Sequence, residues 1–182
     1  PLTVMQLASE MGRLYDIEKL TFFRACECYE ELEAAGKLDA DALIFVNSIA
    51  SVSLSDEDWA SYCEAHSAIL PKLVVEITEE EEMNERELER KRNVPGSTGV
   101  FALDDYGSGN SLLTIAPKYV KVDIAIIRGI DTDADKQQFL MTLIDYAHPR
   151  GVQVLAEGVE TLSELRKVLE MGVDLLQGYC LA

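Results

Sequence analysis

Phe101-Ala102-Leu103-Asp104-Asp105-Tyr106-Gly107-Ser108-Gly109-Asn110 is the stretch on which the fold turns. An apolar run ends abruptly in two adjacent carboxylates, and a glycine-spaced turn follows at once. Successive side chains of an extended strand point to opposite faces, so neighbouring acids cannot both address one site while the strand stays regular. Gly107 and Gly109 tolerate positive φ, and the bend they permit is expected to bring Asp105 round beside Asp104. Two carboxylates converging at a strand end suit hard divalent cations, which take oxygen ligands. Alone, an Asp-Asp dipeptide after a strand reads first as an ordinary solvated turn. The neighbouring segments decide between the two readings.

Working outward, strands alternate with helices. A helical segment over residues 1–35, with Asp16 as a cap and Gly36 as its end, precedes the short apolar run Leu43-Ile44-Phe45-Val46-Asn47, the mark of a buried strand. Ser55 caps the next helix, with Asp56, Glu57 and Asp58 in its first turn, where the dipole favours acids. Pro71 stops that helix, and Leu73 to Glu79 forms the second strand. Residues 80–92 run from Glu80-Glu81-Glu82 to Arg90-Lys91-Arg92, with Glu82/Arg86 and Glu87/Lys91 at i,i+4. That order reads as a solvated helix.

Beyond the opening stretch, Tyr119-Val120-Lys121-Val122-Asp123 alternates as a fourth strand with Lys121 and Asp123 on one face. A helix over about residues 133–148 leads to a fifth strand, Val152 to Glu157. Thr161 and Glu164 form a capping box for a helix ending at Gly172, and residues 174–178 begin a sixth strand. Alternating β and α with nearly continuous apolar strands means a parallel sheet, doubly wound or closed as a barrel. Neither a G-x-G-x-x-G after the first strand nor a G-K-[ST] loop occurs, so dinucleotide and P-loop readings lack their phosphate-binding feature. Each strand instead carries a polar residue at or near its C-terminal end: Asn47, Glu76, Asp104 with Asp105, Lys121, Glu157 and Gln177. In a barrel those ends share the rim that holds the chemistry. Buried acids there are expected to need cations to pair them.

Composition narrows the partners. A chain of 182 residues with 48% apolar residues builds a real core. The formal net charge of −17 excludes a nucleic-acid duplex, which needs a basic footprint. It also disfavours anionic membrane surfaces, and no apolar run is long enough to insert into a bilayer. Cys26, Cys28, Cys63 and Cys180 form no C-x-x-C pair, and His66 and His148 stand isolated, which argues against a thiolate–imidazole zinc site and fits a reducing cytoplasm.

Six segments now fall in a known order: Val46-Asn47, Glu76-Ile77-Thr78-Glu79, Leu103 to Gly109, Val120-Lys121-Val122-Asp123, Ala156-Glu157-Gly158-Val159-Glu160-Thr161, and Gln177-Gly178-Tyr179. The chain resembles the EAL domain, the bacterial phosphodiesterase that cleaves cyclic di-GMP to linear pGpG. The resemblance implies a TIM-barrel-like fold, a modified β/α barrel with one antiparallel strand, here incomplete with about six strands visible. It also implies a two-metal site of Mg²⁺ or Mn²⁺. Asn47, Glu76 and Asp104 would hold one metal, and Asp104 would bridge to a second that Asp105 also serves. Lys121 would contact the attacking water, and Glu157 would take part in its activation or in second-metal binding. Gln177 would lie beside the metal-bound water and substrate, and Asp123 would hold Lys121 or bind near the metals. Glu79 would steady the loop that contains Gly107 and Gly109.

The family also implies cyclic di-GMP as ligand, a homodimer, an adjacent GGDEF or sensor domain, and a cytoplasmic domain whose full protein can be membrane-tethered. Where the pattern departs, it does so at the ends. The Glu-Ala-Leu that names the family is absent, and Pro1 aligns just after the strand that would carry it. A single domain over residues 1–182, continuing at both ends in the full protein, is therefore expected, with little or no turnover from this stretch by itself. Tyr106 replaces a common Phe and Asn110 a common Tyr, and neither change removes a ligand. The alternative function is a degenerate EAL domain that senses cyclic di-GMP or serves as a protein-interaction module.

Overall fold

The β/α alternation expected from the sequence is what the chain adopts. The computed structural model describes residues 2–39, 41–78, 85–94, 96–106 and 116–181, and their side chains except those of residues 2, 3, 85, 87, 105 and 106. These pack as two compact units. The first takes the described residues up to Ile77 and from Glu85 to Phe101; the second takes Thr78 and those from Ala102 onward.

The first unit opens with α1 (Leu2–Glu10) and α2 (Leu14–Ala34). One continuous helix was the expectation, but Gly12 adopts a φ of +66° and breaks it. Asp16 is not the cap either. Arg13 holds that position, and its Nε donates to Asp16 Oδ2 at 2.6 Å within the first turn. Along α2 the buried residues are Glu18, Phe22, Cys26 and Tyr29, a helical stripe with a carboxylate at its head. It packs on α3 (Asp56–Ala65), where Phe22 meets Trp59 and Tyr62 edge-on at centroid distances of 5.3 and 5.7 Å. The Cys26 thiol and the Tyr62 hydroxyl lie 2.9 Å apart, and burial raises the pKa of both. Ser55 caps α3 as expected, accepting from the Asp58 amide at 3.1 Å. The helix ends at His66, ahead of Pro71, which sits in a separate 3-10 turn.

Strands β1 (Ile44–Asn47) and β2 (Leu73–Thr78) pair in parallel, with Asn47 opposite Glu76. Helix α4 (Glu85–Arg92) corrects one reading. Lys91, expected on a solvated helix face, is 1% exposed and turned onto Glu18. Glu82, expected opposite Arg86, lies outside the described residues, as does the side chain of Glu87.

In the second unit β3 (Val100–Tyr106, from Ala102 onward), β4 (Tyr119–Val122), β5 (Gln153–Ala156) and β6 (Leu175–Leu176) pair in parallel and in chain order. A doubly wound sheet reverses its strand order at a switch point; no reversal occurs among these four, which is the winding of a barrel. A short helix that the sequence did not announce, α5 (Ile124–Ile127), follows β4. Then come α6 (Ala134–Ala147), capped by Asp133, and α7 (Leu162–Met171), with the Thr161/Glu164 capping box and Gly172 at φ +89°.

The pairing of β3 with β4 is irregular where it matters. Between Leu103 and Tyr106 the first strand takes three residue steps while its partner takes two, from Val120 to Val122. The extra residue falls at Asp104–Asp105 and makes a β-bulge. A departure from strict alternation therefore lies within the strand itself; Gly107 and Gly109, expected to supply the bend, lie outside the described residues. All four cysteines are free thiols. Among the described residues, no helix is long and apolar enough to cross a membrane.

Candidate functional site

In the first unit, the parallel register sets Asn47 and Glu76 side by side at their strand ends. The Ser48 amide donates to the Glu76 carbonyl at 2.9 Å, which ties the two strand ends together. Glu76 is 6% exposed, on a strand otherwise lined by Leu73, Val74, Val75 and Ile77. A carboxylate in such a place needs partners to offset desolvation.

In the second unit the ends of β3, β4 and β5 bring together three charged residues read from the sequence. Lys121 Nζ lies 3.0 Å from Asp104 Oδ1 and 2.7 Å from Glu157 Oε1. Its side chain is 6% exposed, and those of Asp104 and Glu157 are 14% and 18% exposed. The sequence reading looked to metal cations to pair these acids. In this arrangement the lysine ammonium already pairs two of them. The Glu157 amide donates to the Val122 carbonyl at 3.1 Å, so its backbone is an extension of the β4–β5 ladder.

Gln177 stands exposed at the end of β6 with both backbone groups engaged. Its amide donates to the Ala156 carbonyl (2.9 Å), and its carbonyl accepts from the Val159 amide (3.0 Å). Gly178 follows because nothing larger fits: a Cβ there would sit 2.1 Å from the Val159 carbonyl oxygen. Asp123 lies one residue beyond β4, and its Oδ1 accepts from the Ala125 amide at 2.7 Å as the cap of α5. Lys121 is held by Asp104 and Glu157, whereas the Asp123 side chain serves this local turn. Glu79, Gly107 and Gly109 lie outside the described residues, as does the side chain of Asp105.

Sequence reading missed the scaffolding behind these residues. Glu164, named only as half of a capping box, is buried and accepts from the amides of Gly129 (2.9 Å), Thr161 (3.0 Å) and Glu160 (3.1 Å). It thereby joins the turn after α5 to the turn that leaves Glu157. Burial opposes its charge, but these backbone donors and Thr161 outweigh it and hold its carboxyl below the usual glutamate range. Arg128 and Glu160 form an ion pair across the same two turns. The second unforeseen group is Glu18 with Lys91. A glutamate on the buried stripe of an amphipathic helix was the available signal.

The donors at these strand ends are amide and carboxylate oxygens, the chemistry that hard divalent cations take. Among the described residues no three His, Cys, Asp or Glu side chains gather as a ready-made cage. The donor set named from the sequence draws also on an asparagine and on Asp105. By donor type the residues fit such an ion.

Comparison with known proteins adds the family. The EAL domain model matches residues 1–182. The chain is 32% identical over 113 residues to the probable cyclic di-GMP phosphodiesterase PdeG of Escherichia coli (strain K12), covering 59% of this chain and 22% of that protein. The chain thus spans about a fifth of that curated relative's length. Its fold is similar to that of the PaMucR phosphodiesterase in complex with c-di-GMP, at a TM-score of 0.80 and 23% identity, covering 100% of this chain and 76% of that one. The Klebsiella pneumoniae BlrP1 manganese/cy-diGMP complex is similar at a TM-score of 0.74 and 24% identity over 90% of this chain and 44% of that one. At such identities the likeness speaks for the fold, which is the TIM-barrel-like modified β/α barrel with six strands present among the described residues. With the family match running the whole length of the chain, it belongs to the EAL domain family.

Proposed function

We propose that this chain is a metal-dependent phosphodiesterase domain that hydrolyses cyclic di-GMP to linear pGpG in bacterial second-messenger signalling. The observation that carries the reading is the ammonium of Lys121 between Asp104 and Glu157 at adjacent strand ends, in a chain of this family. Relatives named as cyclic di-GMP phosphodiesterases, and similar folds solved with that ligand, support it.

Asn47, Glu76 and Asp104 would hold one Mg²⁺ or Mn²⁺, and Asp104 with Asp105 a second. When bound, two such ions lower the pKa of a water between them and stabilise charge on phosphoryl oxygens. The chain's own part is orientation. The Lys121 ammonium carries only donors, so it aligns the lone pairs of a water or of a phosphate oxygen. Glu157, an acceptor 2.7 Å from that ammonium, can take a proton from the water as it adds to phosphorus. Water then adds across one P–O bond of the cyclic dinucleotide, leaving a terminal phosphate and a free hydroxyl. Gln177 would contact substrate, Asp123 would fix the turn after Lys121, and Glu79, Gly107 and Gly109 would shape the loop after the acid pair.

Incubating the native protein with cyclic di-GMP and Mn²⁺ or Mg²⁺ tests the reading. A linear dinucleotide, lost on chelation, is the expected product. Tight binding with no product would make the domain a cyclic di-GMP receptor instead.

A further inference from the structure

Glu18, Ser48 and Lys91 form a buried polar cluster in the first unit for which the proposed reaction has no use. Glu18 and Lys91 are each 1% exposed. Lys91 Nζ donates to Glu18 Oε1 at 2.7 Å, to Ser48 Oγ at 2.6 Å and to the Val52 carbonyl. Ser48 Oγ donates to Glu18 Oε1 at 2.6 Å, and the Ile49 amide donates to Glu18 Oε2 at 2.8 Å. Helices α2 and α4 thus each send a long charged side chain to one place, the segment that leaves β1 immediately after Asn47.

Stability alone is a weak reason for such a pair. Two buried charges lose most of their attraction to desolvation, and apolar residues of like volume often serve as well. What the pair does that apolar packing cannot is fix backbone groups. It engages the Ser48 hydroxyl, the Ile49 amide and the Val52 carbonyl, while the Ser48 amide is held by the Glu76 carbonyl at 2.9 Å. Ser48 is therefore secured through its backbone to one proposed ligand and through its side chain to the cluster, and it is covalently joined to the other. An asparagine offers a metal one neutral carbonyl oxygen, with no charge to compensate for misplacement, so its aim depends on the backbone that carries it.

We propose that Glu18 and Lys91, acting through Ser48, are positioning residues for the metal-binding end of β1. This rests on the reading of Asn47 and Glu76 as metal ligands. Partners standing behind a metal ligand typically change metal affinity by about 10–100-fold when removed.

The test uses the native protein and two variants, with Mn²⁺ binding followed by the electron-spin-resonance signal of the free ion. Ser48→Ala keeps the ion pair but cuts its link to Asn47. The double variant Glu18→Gln/Lys91→Met removes both charges with little change of volume. Each is expected to bind Mn²⁺ about tenfold more weakly, and the double variant to exchange the Ile49 amide faster as well. Activity lost at low Mn²⁺ should return at high Mn²⁺, with the KM for substrate little changed. Variants that bind Mn²⁺ as the native protein does, whatever their thermal stability, would overturn the inference while leaving the metal-site reading intact. Absence of Mn²⁺ binding in the native protein itself would overturn both. Should the double variant fail to fold, Ser48→Ala decides the question.

Discussion

The ammonium of Lys121 lies 2.7 Å from a carboxylate oxygen of Glu157, on neighbouring strands whose ends it joins. The same nitrogen is 3.0 Å from Asp104, so one cation stands between two acids. Lys121→Met would leave those acids facing each other with that charge removed. Without metal, the loss is expected to reach about 3 kcal/mol, reduced by their partial exposure. Metal ions would take over the pairing. Thermal melts should therefore show a larger drop in EDTA than in Mn²⁺, with turnover abolished in both. An equal drop under both conditions would separate Lys121 from any metal site.

Asp104→Asn keeps an oxygen that can accept from Lys121 but removes the negative charge. Turnover is expected to fall by about a hundredfold or more, while metal-free stability shifts by only about 1 kcal/mol, because Glu157 still pairs the ammonium. A variant that unfolds while the metal-free native protein stays folded would mark Asp104 as a structural acid.

Glu164 predicts a pH dependence. Its folded-state carboxyl titrates below the ordinary glutamate value, so its contribution is complete above about pH 4.3 and is lost as pH falls through the lowered folded value. Glu164→Gln should cost roughly 1–2 kcal/mol near neutrality. The gap between native and variant stability should close on acidification below about pH 4. A gap that stays constant down the acid limb would refute the charge-based account.

Gly178→Ala tests the close approach at the end of β6. The added methyl would meet backbone atoms of Val159 at 2.1 and 2.4 Å, and these cannot swing aside as a side chain would. A loss of about 3 kcal/mol or more is expected, together with displacement of Gln177. A melting curve like that of the native protein would show that the turn yields easily.

Much of this was legible in the sequence because it rests on short-range rules. Strand ends carrying Asn47, Glu76, Asp104, Lys121 and Glu157 follow from apolar runs that stop at a polar residue. The caps at Ser55 and Thr161 follow from side chains that reach their own helix. Other features were not legible, and Gly12, the β3 bulge and Lys91 show the physical reasons. Gly12 breaks the first helix because an isolated glycine within a helical pattern is ambiguous until its φ is known. The bulge at Asp104–Asp105 is a mismatch between two strands, which one strand's pattern cannot contain. Lys91 sat among charges that suit a solvated helix end, and only its reach to Glu18, far away in sequence, shows that it is buried.

The inserted residue in β3 makes the acid pair a matter of parity. In an even ribbon, whether a residue's number is odd or even settles which side of the sheet it serves, and the irregularity between Leu103 and Tyr106 resets that count midway. Deleting a single residue there would restore the count and shift the pairing of the strand's end against β4 by one residue. Relatives of this chain could thus lose their chemistry through a change of length, with every catalytic letter still present, and a survey of substitutions alone would pass over it.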